Sequence, residues 1–269
     1  MANGRVERAI RRRVFGRAPR TIDKAPPRCP SGWTTGPPDF VGVGVQRGGT
    51  SWWFAELDRH PDLRRAADAP KEVHFFDSLS GATLSDAHVA RYEQWFPRPA
   101  GGIVGEWTPI YAYEPWTVPM LARAAPEARF LMLLRNPMDR FHSGVTLGLK
   151  RGNSHGRAVV DAFQRGLYAG QVARLLTHLR RDQILFLVYE ELRSEPQRQR
   201  HCTAEFIGLD PDRFTTPVRV RPAGARAHRD RAMSSVLLSE VAERYRDDVV
   251  ELARLLPELD FDRWVSHAR

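Results

Sequence analysis

The chain has 269 residues, of which 42% are hydrophobic, 27% charged and 10% aromatic. This length fits one large α/β domain, and the composition excludes a mostly disordered or collagen-like chain. No run approaches the roughly 18 consecutive apolar residues of a transmembrane helix. The net charge of +9 points to an anionic partner: nucleic acid, an anionic membrane surface or an anionic small ligand.

The cysteine content favours a reducing compartment. Cys29 and Cys202 are too few for a disulfide scaffold, and the basic N-terminus lacks the apolar core of a secretory signal. We therefore expect a cytoplasmic protein. No Cys/His cluster has the spacing of metal ligands, so no metal is expected. The high Arg and Ala content is typical of a GC-rich bacterial source.

The sequence predicts a basic extension over residues 1–38 and one domain over residues 39–269. Residues 1–24 carry eight basic residues against two acidic ones, a net charge of +6. This segment is either a solvated tail or a surface for peripheral contact with an anionic membrane. No DNA- or RNA-binding motif accompanies it, so nucleic acid is not expected as a partner. The sequence does not specify an oligomeric state.

The hydrophobic pattern of the domain predicts alternating strands and helices. Phe40–Val45 is a Val-rich run typical of a buried parallel strand, and a Gly-rich turn follows it. Further strands are predicted at 73–76, 103–105, 130–134 and 184–189, and helices at 50–60, 85–96, 115–124, 137–149, 158–181, 197–207 and 234–256. This alternation predicts a single α/β domain with a central parallel sheet covered by helices on both faces.

The segment Gly44–Ser51 joins a strand end, a Gly-rich turn and a helix start. Such an element binds anions, because the helix start offers unpaired N–H groups and glycines let the backbone approach the ligand. A Walker A loop has a lysine directly after its last glycine, whereas Thr50 follows Gly49 here and the cation, Arg47, precedes the glycines. The spacing favours a site for a terminal anionic group without the nucleoside-triphosphatase arrangement. A tight turn without a ligand is the alternative.

Several motifs in the same order resemble those of the sulfotransferases that use 3′-phosphoadenosine 5′-phosphosulfate (PAPS). Residues 44–52 resemble the 5′-phosphosulfate loop, and residues 134–143 (LRNPMDRFHS) resemble the 3′-phosphate motif. Residues 71–77 (KEVHFFD) resemble the K-E-x-x-F-F segment of the heparan sulfate branch and its bacterial relatives. Residues 188–192 and 206–209 match later landmarks of the family. The resemblance runs from about Phe40 to Trp264. It implies a PAPS-dependent enzyme with a fold like that of P-loop nucleotide kinases, which releases 3′-phosphoadenosine 5′-phosphate (PAP).

The resemblance also implies a donor site. Its residues are Arg47, Gly48, Gly49, Thr50 and Ser51 around the 5′-phosphosulfate, Trp52 on the adenine, Arg135 and Ser143 on the 3′-phosphate, and Arg226 in a late loop that closes on the phosphate. Relatives most often have lysine where this chain has Arg47. Because arginine is effectively never deprotonated, Arg47 is expected to act as a fixed charge on the bridging and leaving oxygens. A core position for Trp52 and a solvated loop around Arg226 are the alternatives, and Arg140 is expected on the helix surface or in an ion pair.

For the acceptor, the resemblance gives Glu72 the part of the base that takes the hydroxyl proton. His74 is the alternative base, because an imidazole titrates near neutral pH. Trp107 stands where the heparan sulfate enzymes have the lysine of E-K-T/S-P, which faces the reaction centre, and this favours a less anionic acceptor. Several aromatic residues are candidates to line an acceptor cleft, with packing on the sheet as the alternative: Trp95, Trp107, Tyr111, Tyr113 and Trp116.

The sequence thus favours a sulfotransferase that acts on a hydroxyl, or less readily an amine, of a carbohydrate, glycolipid or small-molecule acceptor. A P-loop-like nucleotide kinase is one alternative, although it would lack the Walker A lysine. A non-catalytic nucleotide- or anion-binding module is the other, and it would bind PAP without turnover.

Overall fold

A computed structural model of the protein describes residues 24–79, 82–220 and 233–266. Most of the basic N-terminal segment and Arg226 lie outside the described residues. The described part of the expected extension contacts the domain, since the N–H of Thr34 donates to the carbonyl of Arg98 at 3.0 Å. The guanidinium of Arg98 in turn donates to the carbonyl of Pro37 at 2.9 Å. The boundary at residue 38 stays a prediction.

Within the described residues, the sheet consists of four parallel strands in the order β2-β1-β3-β4. The strands are β1 (Phe40–Gly44), β2 (Gly105–Trp107), β3 (Arg129–Leu134) and β4 (Ile184–Val188). β1 lies in the middle, with Val41 opposite Glu106 on one side and Phe130 on the other. The predicted α/β class with a central parallel sheet is confirmed.

Helices follow the strands. They are α1 (Thr50–Leu57), α2 (Asp86–Glu93), α3 (Thr117–Ala124), α4 (Pro137–Lys150), α5 (His155–Arg165), α6 (Ala169–His178), α7 (Tyr189–Ser194), α8 (Pro196–Phe206), α9 (Ser235–Leu255) and α10 (Asp262–Ser266), with 3-10 turns at Asp77–Leu79, Arg181–Gln183 and Pro211–Arg213. Within the described ranges, no helix combines the length and the apolar character needed to cross a bilayer.

The core has two layers because alternate residues of each strand point to opposite faces of the sheet. In β3, Phe130, Met132 and Leu134 belong to one buried cluster, whereas Leu131 and Leu133 belong to the other. Both faces of the strand are covered, which explains its continuous apolar sequence.

The prediction of one long helix over 158–181 is wrong, because the chain forms α5 and α6 instead. The break lies at Gly166, where a Cβ would overlap the ring of Tyr245. The carboxylate of Asp248 then accepts hydrogen bonds from the N–H groups of Tyr168, at 2.6 Å, and Ala169, at 3.2 Å. Asp248 therefore caps the start of α6 from a distant helix, which the local apolar pattern does not show.

The strand predicted at 73–76 is also wrong, since this segment is irregular and leads into the 3-10 turn at Asp77–Leu79. The strand predicted at 103–105 is shifted to Gly105–Trp107. The remaining strand and helix predictions agree with the structure to within a few residues at their ends.

Gly42 in β1 leaves room for the indole of Trp107, since a Cβ at Gly42 would overlap that ring. The ring is fully buried, and its Nε1 donates to the carbonyl of Gly44 at 3.0 Å. We expect Gly42→Ala to lower the free energy of unfolding by about 1–3 kcal/mol, because overpacking displaces the ring or the strand. Urea unfolding measures this.

The matched control is Gly156→Ala in α5, where a Cβ would meet nothing within 4 Å. This variant is expected to be as stable as the parent or slightly more so, because alanine favours the helix. Equal stability of the Gly42→Ala variant and the parent would contradict the packing of Trp107 on β1.

Candidate active site

The loop between β1 and α1 requires its glycines. A Cβ on Gly48 would lie 2.6 Å from the carbonyl oxygen of Leu133, and one on Gly49 would lie 2.6 Å from the ring of Tyr189. Gly49 has φ of 103° and occupies the N-cap of α1, where it offers no side-chain cap to the first turn. The backbone N–H groups of that turn can therefore face an anion.

The loops after β1 and β3 meet, because neighbouring parallel strands end at the same edge of the sheet. Nε of Arg47 donates to Oγ of Ser143 at 2.8 Å, across 96 positions of sequence. Nη1 of Arg135 donates to the carbonyl of Arg47 at 3.3 Å, and its guanidinium lies 4.8 Å from the ring centre of Tyr189. The structure thus brings three predicted donor-site residues together.

This edge of the sheet is strongly cationic. Burial lowers the pKa of Arg47, and repulsion from Arg135, Arg151 and Arg140 lowers it further. Nε of Arg135 is buried without a hydrogen-bond partner in the protein. Guanidinium groups that repel one another and hold free donors suit an anion of several charges, so these residues fit the phosphate groups of PAPS.

Arg140 contradicts its predicted surface position, because it is fully buried in α4. Its Nη2 donates to the carbonyl of Ala162 in α5, and its Nη1 donates weakly to the carbonyl of Gln46 at 3.5 Å. Backbone carbonyls from two distant segments hold this cation. The helical pattern of α4 alone could not reveal those acceptors.

Asn136 and Glu190 fix the backbone that follows Arg135. The Asn136 side chain caps α4 by accepting from the N–H groups of Met138 and Asp139, at 3.0 and 3.3 Å. Oε1 of Glu190 accepts from the N–H of Asn136 at 3.0 Å. Burial raises the pKa of Glu190. Sequence reasoning missed this role, although Glu190 belongs to the landmark at 188–192.

Glu72, His74 and Asp77 form a line of charged contacts beside α1. Nε2 of His74 lies 3.1 Å from Oε2 of Glu72, and Nδ1 of His74 lies 2.9 Å from Oδ2 of Asp77. With both ring nitrogens protonated, the imidazolium donates to both carboxylates. The predicted base and its alternative are thus in direct contact with each other.

Lys71 connects these contacts to the loop between β1 and α1. Its Nζ donates to Oε1 of Glu72 at 2.9 Å, to Oγ1 of Thr50 at 3.1 Å and to Oγ of Ser51 at 3.4 Å. Burial lowers the pKa of Lys71, although Glu72 and Glu106 oppose this shift. Sequence reasoning missed Lys71, and the available signal was the lysine of the K-E-x-x-F-F segment.

The buried carboxylate of Glu106 holds this region together. Its Oε2 accepts from the N–H of Val73 at 2.9 Å and from the hydroxyl of Thr108 at 2.5 Å. Its Oε1 accepts from the hydroxyls of Tyr92 at 2.7 Å and Tyr111 at 3.2 Å. Burial raises the pKa of Glu106, and these four donors oppose that shift.

Two of those hydroxyls also accept hydrogen bonds from the segment that carries the candidate base. The N–H of His74 donates to Oγ1 of Thr108 at 3.1 Å, and the N–H of Phe75 donates to the hydroxyl of Tyr111 at 2.9 Å. Side chains therefore replace the neighbouring strand that the predicted strand at 73–76 would need.

The charged contacts set the protonation states near neutral pH. Burial opposes the charged form of His74, but hydrogen bonds to Asp77 and Glu72 outweigh it and raise the pKa of His74 to about 10. Burial alone would raise the pKa of Glu72, but the contacts with His74 and Lys71 lower it below its ordinary value. Glu72 is therefore anionic and His74 cationic at pH 7.

Most of the aromatic residues predicted for an acceptor cleft pack in the core instead. Trp95, Trp107 and Tyr111 are buried, so the packing alternative holds for them. Trp116 is half-buried and its Nε1 donates to a backbone carbonyl at 3.2 Å. Tyr113 is half-buried as well, which leaves part of its ring accessible to a ligand.

Trp52 is buried in α1, edge-on to Tyr189, and its Nε1 donates to the carbonyl of Arg219 at 2.8 Å. Its stacking on adenine stays a prediction. Among the residues that the structure describes, no group of three or more His, Cys, Asp and Glu side chains is arranged to hold a metal ion.

Comparison with known proteins relates this site to one family. The model of the sulfotransferase family matches residues 82–213. The chain is thus similar to the sulfotransferase family over about half of its length. The matched range includes Glu106, Arg135 and Ser143, and the motifs at 44–52 and 71–77 precede it. The resemblance inferred from the sequence is confirmed at the level of the family.

Relatives of this chain include enzymes of animals. It is 29% identical to mouse heparan sulfate glucosamine 3-O-sulfotransferase 6 over 187 residues, which cover 64% of this chain and 52% of that protein. It is 27% identical to human heparan sulfate glucosamine 3-O-sulfotransferase 3B1 over 188 residues, 64% of this chain and 46% of that protein. The chain therefore spans about half the length of the curated relatives it matches.

The fold of this chain is similar to that of a bacterial protein. The solved structure of a sulfotransferase from Alicyclobacillus acidocaldarius superposes with a TM-score of 0.64, over 84% of this chain and 98% of that one, at 24% identity. The likeness supports the α/β architecture.

The contacts of His74 predict that its imidazole stays protonated well above neutral pH. We expect its titration midpoint near 10, the value to which Asp77 and Glu72 raise the pKa from 6.5. The stability that these contacts contribute is then complete below pH 6.5 and is lost as the pH rises through 10. Proton and carbon NMR of the imidazole measures the midpoint, with a His74→Gln variant to assign the signal.

An Asp77→Asn variant provides the control, because loss of that carboxylate should lower the midpoint. A parent signal that titrates near 6.5 would contradict the contacts seen here.

Proposed function

We propose that this chain transfers a sulfuryl group from PAPS to a hydroxyl of a carbohydrate, lipid or small-molecule acceptor and releases PAP. One observation carries the proposal. The predicted 5′-phosphosulfate loop and 3′-phosphate motif lie in direct contact, through Arg47 and Ser143, and Lys71 connects the same loop to the candidate base.

On the donor side, the two halves of the site suit the two ends of a bisphosphorylated nucleotide. The loop before α1 would bind the 5′-phosphosulfate through its backbone N–H groups, with Arg47 as a fixed charge. Arg135 and Ser143 would bind the 3′-phosphate, because a guanidinium fork and a hydroxyl both donate to phosphate oxygens. The free donor on Arg135 supports this assignment.

On the acceptor side, Glu72 is proposed as the base. It is anionic at neutral pH and lies beside the loop, whereas a protonated His74 has no free nitrogen to accept a proton. In the reaction, the acceptor oxygen forms a bond to sulfur, and the bond from sulfur to the phosphate oxygen breaks with its electron pair on that oxygen. The acceptor proton goes to Glu72. His74 would hold the Glu72 carboxylate in place.

The acceptor class is inferred from the relatives and from Trp107. The names of the curated relatives specify heparan sulfate glucosamine, which favours a carbohydrate. The buried Trp107 replaces the lysine that faces the reaction centre in that branch. We therefore propose an acceptor less anionic than heparan sulfate, with Tyr113 as a candidate surface for stacking.

The donor assignment predicts selective binding of PAP. In isothermal titration calorimetry without Mg²⁺, we expect PAP to bind tightly and ADP weakly, because ADP lacks a 3′-phosphate for Arg135 and Ser143. Arg135→Ala should weaken PAP binding by about tenfold or more, through loss of charge-assisted hydrogen bonds.

Arg254→Ala, an exposed arginine in α9, is the matched control and should bind PAP like the parent. Equal affinity of the parent for PAP and ADP would reject the 3′-phosphate site and favour a nucleotide kinase or an anion-binding module.

The base assignment predicts a separation of binding from transfer. Glu72→Gln should bind PAP as the parent does and lower kcat by about a hundredfold or more, because an amide cannot accept the proton. Transfer of ³⁵S from labelled PAPS to a panel of carbohydrate and phenolic acceptors identifies an acceptor and then measures kcat.

Glu251→Gln, a substitution on the exposed side of α9, is the control and should have the kcat of the parent. A Glu72→Gln variant with parental kcat would move the base to another residue. PAP binding by the parent without transfer to any acceptor would favour the binding module.

A further inference from the structure

Lysine is rare in this chain: only three of the 41 basic residues, Lys24, Lys71 and Lys150, are lysines. Lys24 and Lys150 are exposed, whereas the Lys71 side chain retains 18% of its accessible surface. The one lysine that lies against the candidate site is therefore held in a largely desolvated position.

The ammonium of Lys71 lies next to Thr50, the residue at the lysine position of a Walker A loop. In a Walker A loop, the lysine follows the last glycine, and here Thr50 has that position. Nζ of Lys71 reaches Oγ1 of Thr50 at 3.1 Å and Oγ of Ser51 at 3.4 Å from a different segment of the chain. Both hydroxyls belong to the first turn of α1.

The backbone of Trp107 holds Lys71 at this place. The N–H of Trp107 donates to the carbonyl of Lys71 at 2.8 Å, while the indole is buried against β1. In the enzymes that this chain resembles, lysines stand at the positions of Trp107 and Arg47. Neither position carries a lysine here, yet Lys71 brings an ammonium to the same loop.

We propose that Lys71 binds the 5′-phosphate end of the donor and stabilises the charge that develops on the leaving phosphate. The inference rests on the proposed function. When the bond from sulfur to the phosphate oxygen breaks, its electron pair stays on that oxygen, and an N–H of Lys71 donates a hydrogen bond to it. The acceptor proton goes to Glu72, so the ammonium keeps its own protons and no other reactant is needed.

The electrostatics agree with this role. Burial lowers the pKa of Lys71, while Glu72 and Glu106 hold it up. Nζ of Lys71 lies in contact with both the base and the loop, and the attraction of its ammonium form for an anion adds to that of Arg47. Its three donors are mobile around the Cε–Nζ bond, whereas the guanidinium of Arg47 is already bound to Ser143.

The test compares two ligands that differ only in the 5′-phosphate, PAP and adenosine 3′-monophosphate. Lys71→Gln should weaken PAP binding about tenfold and leave the affinity for adenosine 3′-monophosphate unchanged, as expected for one lost charge-assisted contact. Lys150→Gln is the matched control, with both affinities unchanged. Circular dichroism verifies that the variants are folded.

A double-mutant cycle with Glu72→Gln separates direct contact from neutralisation of the neighbouring carboxylate. If Lys71 contacts the phosphate, Lys71→Gln still costs about tenfold in PAP affinity when Glu72 is already Gln. If Lys71→Gln lowers PAP affinity by less than about twofold in the Glu72→Gln protein, Lys71 only neutralises Glu72 and the proposal is overturned. Failure of the parent to prefer PAP over ADP would overturn the proposed function itself.

NMR of the parent protein gives a readout that needs no Lys71 variant. Reductive ¹³C-methylation labels the three lysines and the N-terminus, and Lys24→Arg and Lys150→Arg variants assign the other two lysine signals. Addition of PAP should shift the Lys71 signal, and adenosine 3′-monophosphate should not. A Lys71 signal that PAP leaves in place, under conditions where calorimetry shows PAP bound, contradicts the proposal.

Discussion

The candidate site depends on one buried carboxylate. Glu106 is fully inaccessible, and all four of its hydrogen bonds come from donors that belong to the segment around Val73 or to the residues that support it. Loss of one partner from a buried hydrogen-bond network costs more than loss of a typical surface contact, because the remaining groups stay desolvated. Glu72 and Lys71 therefore have fixed positions although they lie on an irregular segment.

Backbone strain falls on the same site. Among the described residues, Arg47 and His74 are the non-glycine residues with positive φ, at 70° and 56°. This region is unfavourable for side chains with a Cβ, so the surrounding contacts must hold both residues there. Arg47 is held by Ser143 and Arg135, and His74 by Thr108 and two carboxylates. Strain at two predicted functional residues is consistent with a preorganised polar site.

The sequence was sufficient for the local parts of the fold. The Val-rich strand, the glycine turn and the helix after it follow from short-range pattern, and so does the resemblance that carries the donor motifs. Contacts between distant segments could not be predicted from the sequence pattern. Arg140 is buried where the carbonyls of Gln46 and Ala162 accept its hydrogen bonds. The segment at 73–76 donates to side chains more than thirty positions away, and Lys71 donates to Thr50. None of these partners has a spacing that a strand or helix pattern would reveal.

The Nε1 bond from Trp52 to the carbonyl of Arg219 spans 167 positions, and that from Arg47 to Ser143 spans 96. Such contacts close long loops, and each closure costs conformational entropy. The candidate anion site is therefore a property of the whole fold rather than of any fragment. A ligand that binds there stabilises the entire domain by mass action, so the fraction of folded protein increases with occupancy of the site.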